Sequence, residues 1–516
     1  MAKALRNDGL AALSGVLLTL SFPKFGHWAV AWVALVPLLV ALTRAETGLA
    51  AFRSGYIAGA VSSLGLVYWT SLVVIQYGGL SLPVGIAIMV ALCLALAVFP
   101  SLFAWTIGRW LRAFGPAALL LSPLAWVAME MLRSHTLLRF SWCLLGYSQQ
   151  QNLPVIQVAR YTAVYGVSCL LVLASAVLAF LAVEGRPGRR MAATLGLTMT
   201  VGAVWGHGLL VLRQPMTESG RLRVGLVQGA VMQEEKWDPA LAWRNIDRHL
   251  NLTRQAAAAG ARFVIWPESS VPFLYDRHPE VAEELQRAAR DQGIYLLFGN
   301  DDVEPLPEGG YRAFVGAKLL DPQGQLTYRY HKMRLVPFGE YVPLKPLFTL
   351  GGRYVAKLVQ QVADFSPGVE PAVGLVDGQR FGTLICYEAI FPDQVREFTA
   401  RGADLIVNIT NDAWYGRTSA PYQHLAMAAF RAVENGKYLV RAANTGITAV
   451  VDPRGRIVEQ TALFEPAVLV REVPIVSGQT FYARHGDLFG WTCFGLAAAV
   501  SLIGLRSKAR WLIADR

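Results

Sequence analysis

The chain has 516 residues, 54% of them hydrophobic and only 16% charged, against an average near 25% charged. That excludes a disordered chain and an ordinary soluble enzyme, and five Cys in this length exclude a disulfide scaffold. The net charge of +11 does not mark a nucleic-acid surface: residues 1–215 hold 14 Lys+Arg against four acids (Asp8, Glu46, Glu130 and Glu184), and the remainder nearly balances. The excess therefore belongs to an apolar half, not to a clustered patch on a polar domain.

In chain order, seven apolar segments come first, at about 9–24, 27–43, 54–75, 82–107, 115–132, 162–183 and 192–212, and an eighth at about 487–505. Each approaches the length of about 20 residues that a membrane-spanning helix needs. The first two are short and joined by Phe22-Pro23-Lys24-Phe25-Gly26, which reads as a helical hairpin. Lys3 and Arg6 before an apolar run resemble a signal peptide, but no small-residue cleavage site follows, so an uncleaved span is expected. Cytoplasmic loops collect Lys and Arg. With the N-terminus inside, 13 such residues fall on inside loops and the tail, and five (Lys24, Arg133, Arg139, Arg160 and Arg213) fall outside. The expectation is a multi-pass membrane protein with both termini cytoplasmic; in a bacterium this would be the inner (cytoplasmic) membrane, with the large segment periplasmic. Residues 1–215 form a seven-helix membrane domain, 216–483 a periplasmic domain, and 484–516 the eighth span and tail.

The segment 220–476 has ordinary polarity. Strand patterns at Arg221–Gly229, Ala261–Glu268, Ile294–Gly299, Arg312–Leu320, Phe381–Tyr387, Ala403–Ile409, Tyr438–Ala443 and Ile447–Val451 alternate with helical patterns at Pro239–Ala258, Glu280–Gln292 and Tyr422–Glu434. Buried strands alternating with helices predict a layered α/β domain.

Four of the Cys (Cys93, Cys143, Cys169 and Cys493) fall in or beside apolar spans, leaving Cys386 alone in the polar segment. A lone thiol is commonly a buried structural group. Cys386, however, ends the apolar strand Thr383-Leu-Ile-Cys-Tyr-Glu388, where α/β sheets place their sites. A thiol nucleophile needs a base and an oxyanion stabiliser. Glu268 ends another strand, in Trp266-Pro-Glu268; Lys332 and Glu340 lie in His331-Lys-x6-Gly-Glu340. None is a strong signal alone: Glu268 reads equally as a surface helix cap, Lys332 and Glu340 as solvated surface charges, and Asn411, Asp412 and His424 as turn or helix-surface residues. No metal-ligand spacing and no Gly-rich phosphate loop is present, so neither a metal nor a nucleotide cofactor is expected.

Taken together, Trp-Pro-Glu, His-Lys-x6-Gly-Glu and Cys-Tyr-Glu, in that order on strand ends, resemble the nitrilase superfamily. The resemblance implies an αββα sandwich and a catalytic Glu268, Lys332 and Cys386, with Glu340 beside the lysine. The apolar spans and the stretches Trp237-Asp-Pro, Leu335-Val-Pro-Phe-Gly-Glu-Tyr-Val-Pro343, Asn411-Asp-Ala-Trp-Tyr-Gly416, Gly146-Tyr-Ser148 and Asn444-Thr-Gly-Ile-Thr-Ala449 look like the bacterial apolipoprotein N-acyltransferase family. That family implies an eight-span helical bundle carrying the sandwich. It implies transfer of a fatty acyl chain from a phospholipid, through a Cys386 thioester, to the α-amine of a diacylated apolipoprotein, with no cofactor and a monomer as the default. Tyr387 and Glu388 flank the nucleophile, Tyr387 offering its backbone N–H and Glu388 serving as an anchor. Substrate contacts are expected from Trp237, Trp414, Tyr147 and Glu130. Leu344 and Phe348 belong to an apolar insertion, 341–367, read as a membrane-touching arm hinged at Gly351 and Gly352. The competing readings are a membrane-tethered amide or nitrile hydrolase using the same residues, a transporter or lipid-binding protein with an inactive enzyme domain, and N-acylation of a non-lipoprotein amine.

Overall fold

The computed structural model describes residues 2–136, 139–307, 309–342 and 364–514, with Ala2 and residues 506–514 as backbone only. Leu344, Phe348 and the expected hinge at Gly351 and Gly352 lie outside the described residues. The chain divides into two compact units. One comprises Met1–Gln214, Thr418–Phe430 and His485–Arg516, the other Pro215–Arg417 and Arg431–Arg484. The contiguous segment 216–483 is thus interrupted, because the first part of the helix Ala420–Asn435 groups with the helical unit.

In the helical unit, the eight expected spans do not appear as eight separate long apolar helices. Among the described residues four helical stretches are long and apolar enough to cross a membrane: Leu82–His135, Val164–Val183, Pro187–Arg213 and Leu488–Leu505. A fifth is reached if the bent pair Gly48–Val67 and Thr70–Gln76 counts as one span. The expected spans at 82–107 and 115–132 fall within a single helical stretch, joined through the 3-10 turn Gly115–Leu121. The N-terminal helix Ala2–Leu20 carries Lys3, Arg6 and Asp8. The next segment is split into a 3-10 turn, Trp28–Trp32, and a short helix, Val36–Thr43. Small residues set the packing, as is usual where lipid removes the hydrophobic drive between helices. A Cβ on Gly55 would lie 2.4 Å from the Pro100 carbonyl oxygen, and one on Gly59 2.9 Å from the Ala97 Cα.

The second unit contains fourteen strands among the described residues: β1 (Glu218–Gln228), β2 (Phe263–Ile265), β3 (Tyr295–Gly299), β4 (Asp302–Pro305), β5 (Tyr311–Phe314), β6 (Gly316–Leu320), β7 (Leu326–His331), β8 (Val373–Val376), β9 (Gln379–Ile385), β10 (Leu405–Thr410), β11 (Tyr438–Ala443), β12 (Ala449–Val451), β13 (Ile457–Gln460) and β14 (Ala467–Val476). They form two six-stranded sheets, ordered β14-β1-β2-β3-β6-β7 and β13-β12-β11-β10-β9-β8, plus a β4-β5 hairpin. The stretch Arg312–Leu320, read as one strand, is two strands in different sheets.

Period-two alternation assigns the faces. In β2, Phe263 meets Phe381 of β9 across the interior, with ring centroids 5.2 Å apart. Its neighbour Val264 instead joins Ile246, Leu250, Val281 and Leu285 in a core under the helices Ala242–Ala258 and Pro279–Gln292. On the other side, a Cβ on Gly382 of β9 would strike Phe398 of the helix Pro392–Ala400. The unit is a helix–sheet–sheet–helix sandwich, the layering expected from the sequence.

Candidate active site

Strand direction brings the motif residues to one edge. β2 and β3 are parallel, and the two antiparallel steps β3–β6–β7 restore the direction, so β2 and β7 end at the same edge. Glu268 follows β2 and Lys332 follows β7. In the second sheet β9, β10 and β11 are parallel; Cys386 follows β9, and Asn411 and Asp412 follow β10.

The Lys332 side chain is fully buried. Its Nζ donates to Glu268 Oε1 at 3.1 Å and to Glu340 Oε1 at 2.5 Å. The other oxygens of these carboxylates are also used. Glu268 Oε2 accepts the Asn411 N–H at 2.9 Å, and Glu340 Oε2 accepts the Val336 N–H at 2.9 Å. Burial alone works against the Lys332 ammonium, but Glu268 and Glu340 outweigh it and hold the lysine well above its ordinary range. Burial pushes Glu340 up, with Lys332 opposing. One ammonium is thus shared by two carboxylates.

Cys386 opens a 3-10 turn, Cys386–Ile390, directly after β9, with φ at +50°. A non-glycine residue in the left-handed region is strained, and such strain gathers at functional sites. Burial pushes the Cys386 thiol far up; Glu268 adds to this, while Lys332 and a hydrogen bond with Thr410 oppose it. The resting thiol is therefore protonated and needs a base to react.

Glu388 is buried and acts as a knot. Its Oε1 accepts the Tyr330 hydroxyl at 2.7 Å, the Met333 N–H at 2.7 Å, the Arg334 N–H at 3.2 Å and Gln394 Nε2 at 2.6 Å; its Oε2 accepts the Ile385 N–H at 2.8 Å. One carboxylate thus holds the residues just after Lys332 and the residue just before Cys386. Tyr387 is buried, its ring edge-on to Phe391 at 5.1 Å.

The Asn411 side chain bridges Gln233 Oε1 at 2.8 Å and Asn444 Nδ2 at 3.0 Å, and Asn444 in turn pins Val231. Asp412 accepts Arg441 Nη2 at 2.7 Å and Thr410 Oγ1 at 3.1 Å. Two residues were not singled out from the sequence. Lys236 is buried and donates to the main-chain oxygen of Glu268 at 3.0 Å. Asp301 accepts the Ser269 hydroxyl at 3.1 Å. Their only sequence signal is adjacency, to Trp237 and to the end of β3 respectively.

Trp237 and Trp414 are partly exposed, at 50% and 37%. Glu130 and Tyr147 belong to the helical unit. Glu130 is buried, accepts Trp126 Nε1 at 2.9 Å and the Leu145 N–H at 2.8 Å, and lines an apolar cavity with Leu66, Phe99 and Phe103. Tyr147 does not line that cavity. It is 1% exposed and packs edge-on to Phe430 at 5.1 Å, because its segment folds into a buried 3-10 turn, Leu145–Gln149. His424 likewise belongs to the helical unit, 5.5 Å from the Trp142 ring.

Residues 223–482 match the carbon-nitrogen hydrolase family, and residues 14–177 match the apolipoprotein N-acyltransferase N-terminal domain. The apolipoprotein N-acyltransferase of Geobacter metallireducens is 40% identical over 97% of this chain and 95% of its own. That of Azotobacter vinelandii is 36% identical over 97% and 95%. The chain belongs to the apolipoprotein N-acyltransferase family. An amidase from Nesterenkonia sp. AN1, solved with acrylamide added to its active-site cysteine, is 26% identical over 51% of this chain and 96% of its own, with a TM-score of 0.38. Membership of the acyltransferase family makes the chain a membrane-associated acyltransferase with a nitrilase-like domain.

Proposed function

We propose that this acyltransferase moves a fatty acyl chain from a phospholipid to the α-amine of a diacylglyceryl-cysteine lipoprotein, through a thioester on Cys386. The observation that supports it best is the fully buried Lys332, held between Glu268 and Glu340 at the sheet edge where the strained Cys386 turn begins. Glu268 takes the thiol proton as Cys386 sulfur attacks the ester carbonyl. The ester C–O bond breaks, and the same proton goes to the departing lysophospholipid oxygen.

Lysine has three N–H donors, and two of those on Lys332 are spent on carboxylates. The third, with the Tyr387 backbone N–H, serves the tetrahedral oxyanion, a contribution of about 3–4 kcal/mol per donor. Glu340 keeps the ammonium charged and aimed. The lipoprotein amine, whose pKa is near 8 when unperturbed, then attacks the thioester. Its C–S bond breaks, Glu268 removes the amine proton, and that proton returns to the thiolate. Trp237, Trp414 and Glu130 are proposed substrate contacts, and Leu344 and Phe348 belong to a proposed lipid-touching arm. The protein is proposed to work as a monomer in a bacterial inner membrane, with cytoplasmic termini and a periplasmic sandwich.

The test is the intact mass of detergent-purified protein after incubation with phospholipid alone. The proposal requires a gain of one acyl group, absent in Cys386→Ala and discharged by a diacylated lipopeptide that becomes triacylated. A gain that decays without any acceptor would instead indicate a hydrolase.

A further inference from the structure

Glu268 has a second buried cation beside it. Lys236 ends the short helix Gln233–Lys236, and its Nζ donates to the Glu268 main-chain oxygen at 3.0 Å. The next residue, Ser269, has φ at +45° and is tied through its hydroxyl to Asp301 at 3.1 Å. β3 presses on the same turn: a Cβ on Gly299 would lie 2.4 Å from Ser269 N and 2.7 Å from Glu268 Cα. The strained Glu268–Ser269 backbone is therefore gripped by an ammonium on one residue and a carboxylate on the next. Lys236 also lines a small cavity with Glu268, Asn245, His249 and Asn444. There Asn245 Oδ1 and His249 Nε2 are buried without a hydrogen-bonding partner among the described residues, a polar setting that tolerates an ammonium.

We infer that Lys236 is a positioning residue for the general base: its charge, and not only its bulk, holds the Glu268 carboxylate where it can take the Cys386 proton. The inference rests on the roles proposed above for Glu268 and Cys386. The charged and titratable groups around Lys236 are Glu268 from the end of β2, Asp301 from the end of β3, Lys332 from the end of β7, Cys386 from the end of β9, and His249 with Arg248 on the helix Ala242–Ala258. Burial lowers Lys236 to about 8, against the pull of Glu268 and Asp301. Burial lowers His249 to about 4 and raises Asp301 to about 6. Lys332 and Cys386 are both displaced upward. Of these displaced groups, Lys236 is the one that changes charge between pH 7 and 9.

The direction is diagnostic. Thiol ionisation alone makes acylation faster as pH rises. Loss of the Lys236 proton makes it slower. The experiment is single-turnover acylation of the full-length protein by phospholipid, without acceptor, from pH 6 to 9, with the thermal midpoint of each variant as a folding control. For wild type the rate falls about tenfold from pH 7 to 9, as one proton leaves a group titrating near 8. Lys236→Met is slower at pH 7 by on the order of 10- to 100-fold, the cost of a misplaced catalytic group, and flat to pH 9. Lys236→Arg, which does not titrate in this range, restores the pH 7 rate and removes the alkaline limb.

A wild-type rate that is level or rising through pH 8 overturns the inference without requiring any variant to fold. So does a Lys236→Met rate within roughly twofold of wild type at pH 7, far short of that positioning cost. An adduct on Cys386→Ala, or none on wild type at any pH, overturns the Cys386 assignment and this inference with it.

Discussion

The two sheets of the sandwich supply opposite halves of the site. The first sheet carries charge: Glu268 after β2, Asp301 after β3, Lys332 after β7, with Glu340 in the loop beyond. The second carries a neutral thiol on a strained turn after β9, the backbone N–H of Asn411 after β10, which holds Glu268 in place, and a buried Asp412–Arg441 pair that balances its own charge. The difference teaches that the charges are kept next to the nucleophile rather than on it. The Cys386 thiol stays protonated at rest, while Lys332, Glu268 and Glu340 form their own hydrogen-bonded network. Glu388 is the stitch between the halves, since it accepts N–H groups from both.

If that division is right, equally small substitutions in the two sheets have different effects. Cys386→Ala removes the nucleophile and leaves the charge network whole. Acyl-adduct formation and lipopeptide acylation should vanish, a loss of about 10⁶-fold by comparison with other nucleophile deletions, with the thermal midpoint almost unchanged. A large drop in that midpoint would break the comparison. Lys332→Met leaves two buried carboxylates facing each other. Breaking a buried pair costs about 3–5 kcal/mol, so both transfer activity and the denaturation midpoint should fall; loss of activity alone would show that the network carries no stability. Glu388→Gln removes the charge that both halves share. Hydrogen bonds to charged groups contribute roughly 1.5–3 kcal/mol, so unfolding in denaturant should shift by that order and activity should drop moderately. An unchanged unfolding midpoint would mean the two halves are held by packing alone.

Asp301→Asn is the smallest test. Burial raises Asp301 to about 6, so the folded state binds this proton more tightly than the unfolded chain. Its favourable contribution is complete below the unfolded carboxyl range near 4 and is lost as pH rises through 6. The variant should show a flatter dependence of thermal midpoint on pH between 4 and 6. A slope identical to wild type would remove Asp301 from the charged half.

Much of this was legible before folding. Glu268, Lys332, Glu340 and Cys386 sit in motifs at strand ends, and strand ends at one sheet edge are where α/β sites gather. A layered α/β domain followed from alternating buried strands and helices, whereas the helix–sheet–sheet–helix sandwich was implied by the resemblance to the nitrilase superfamily. β7, which ends just before Lys332, was missed although Leu-Thr-Tyr-Arg-Tyr-His alternates apolar with polar residues; the run is short, and its first two side chains are both exposed. Lys236 and Asp301 were missed because an isolated lysine and an isolated aspartate carry no periodicity. Only their hydrogen bonds to the Glu268–Ser269 turn distinguish them. For Tyr147, the sequence showed the Gly-Tyr-Ser motif but not that a 3-10 turn buries it.

By itself, the sequence determined the separation into an apolar part and a catalytic part, since hydropathy and charge vary along the chain and need no partner to be read. It also singled out Cys386 as the candidate nucleophile, because only one Cys lies in the polar segment. Tertiary structure decided how many helices are long enough to span, since helix breaks depend on what each turn packs against. It decided that Thr418–Phe430 groups with the helical unit. It decided, above all, that one ammonium is shared by Glu268, 64 residues before it in the chain, and Glu340, eight after it. Ionisation and hydrogen bonding depend on distance and burial in three dimensions, and neither is a property of spacing along the chain.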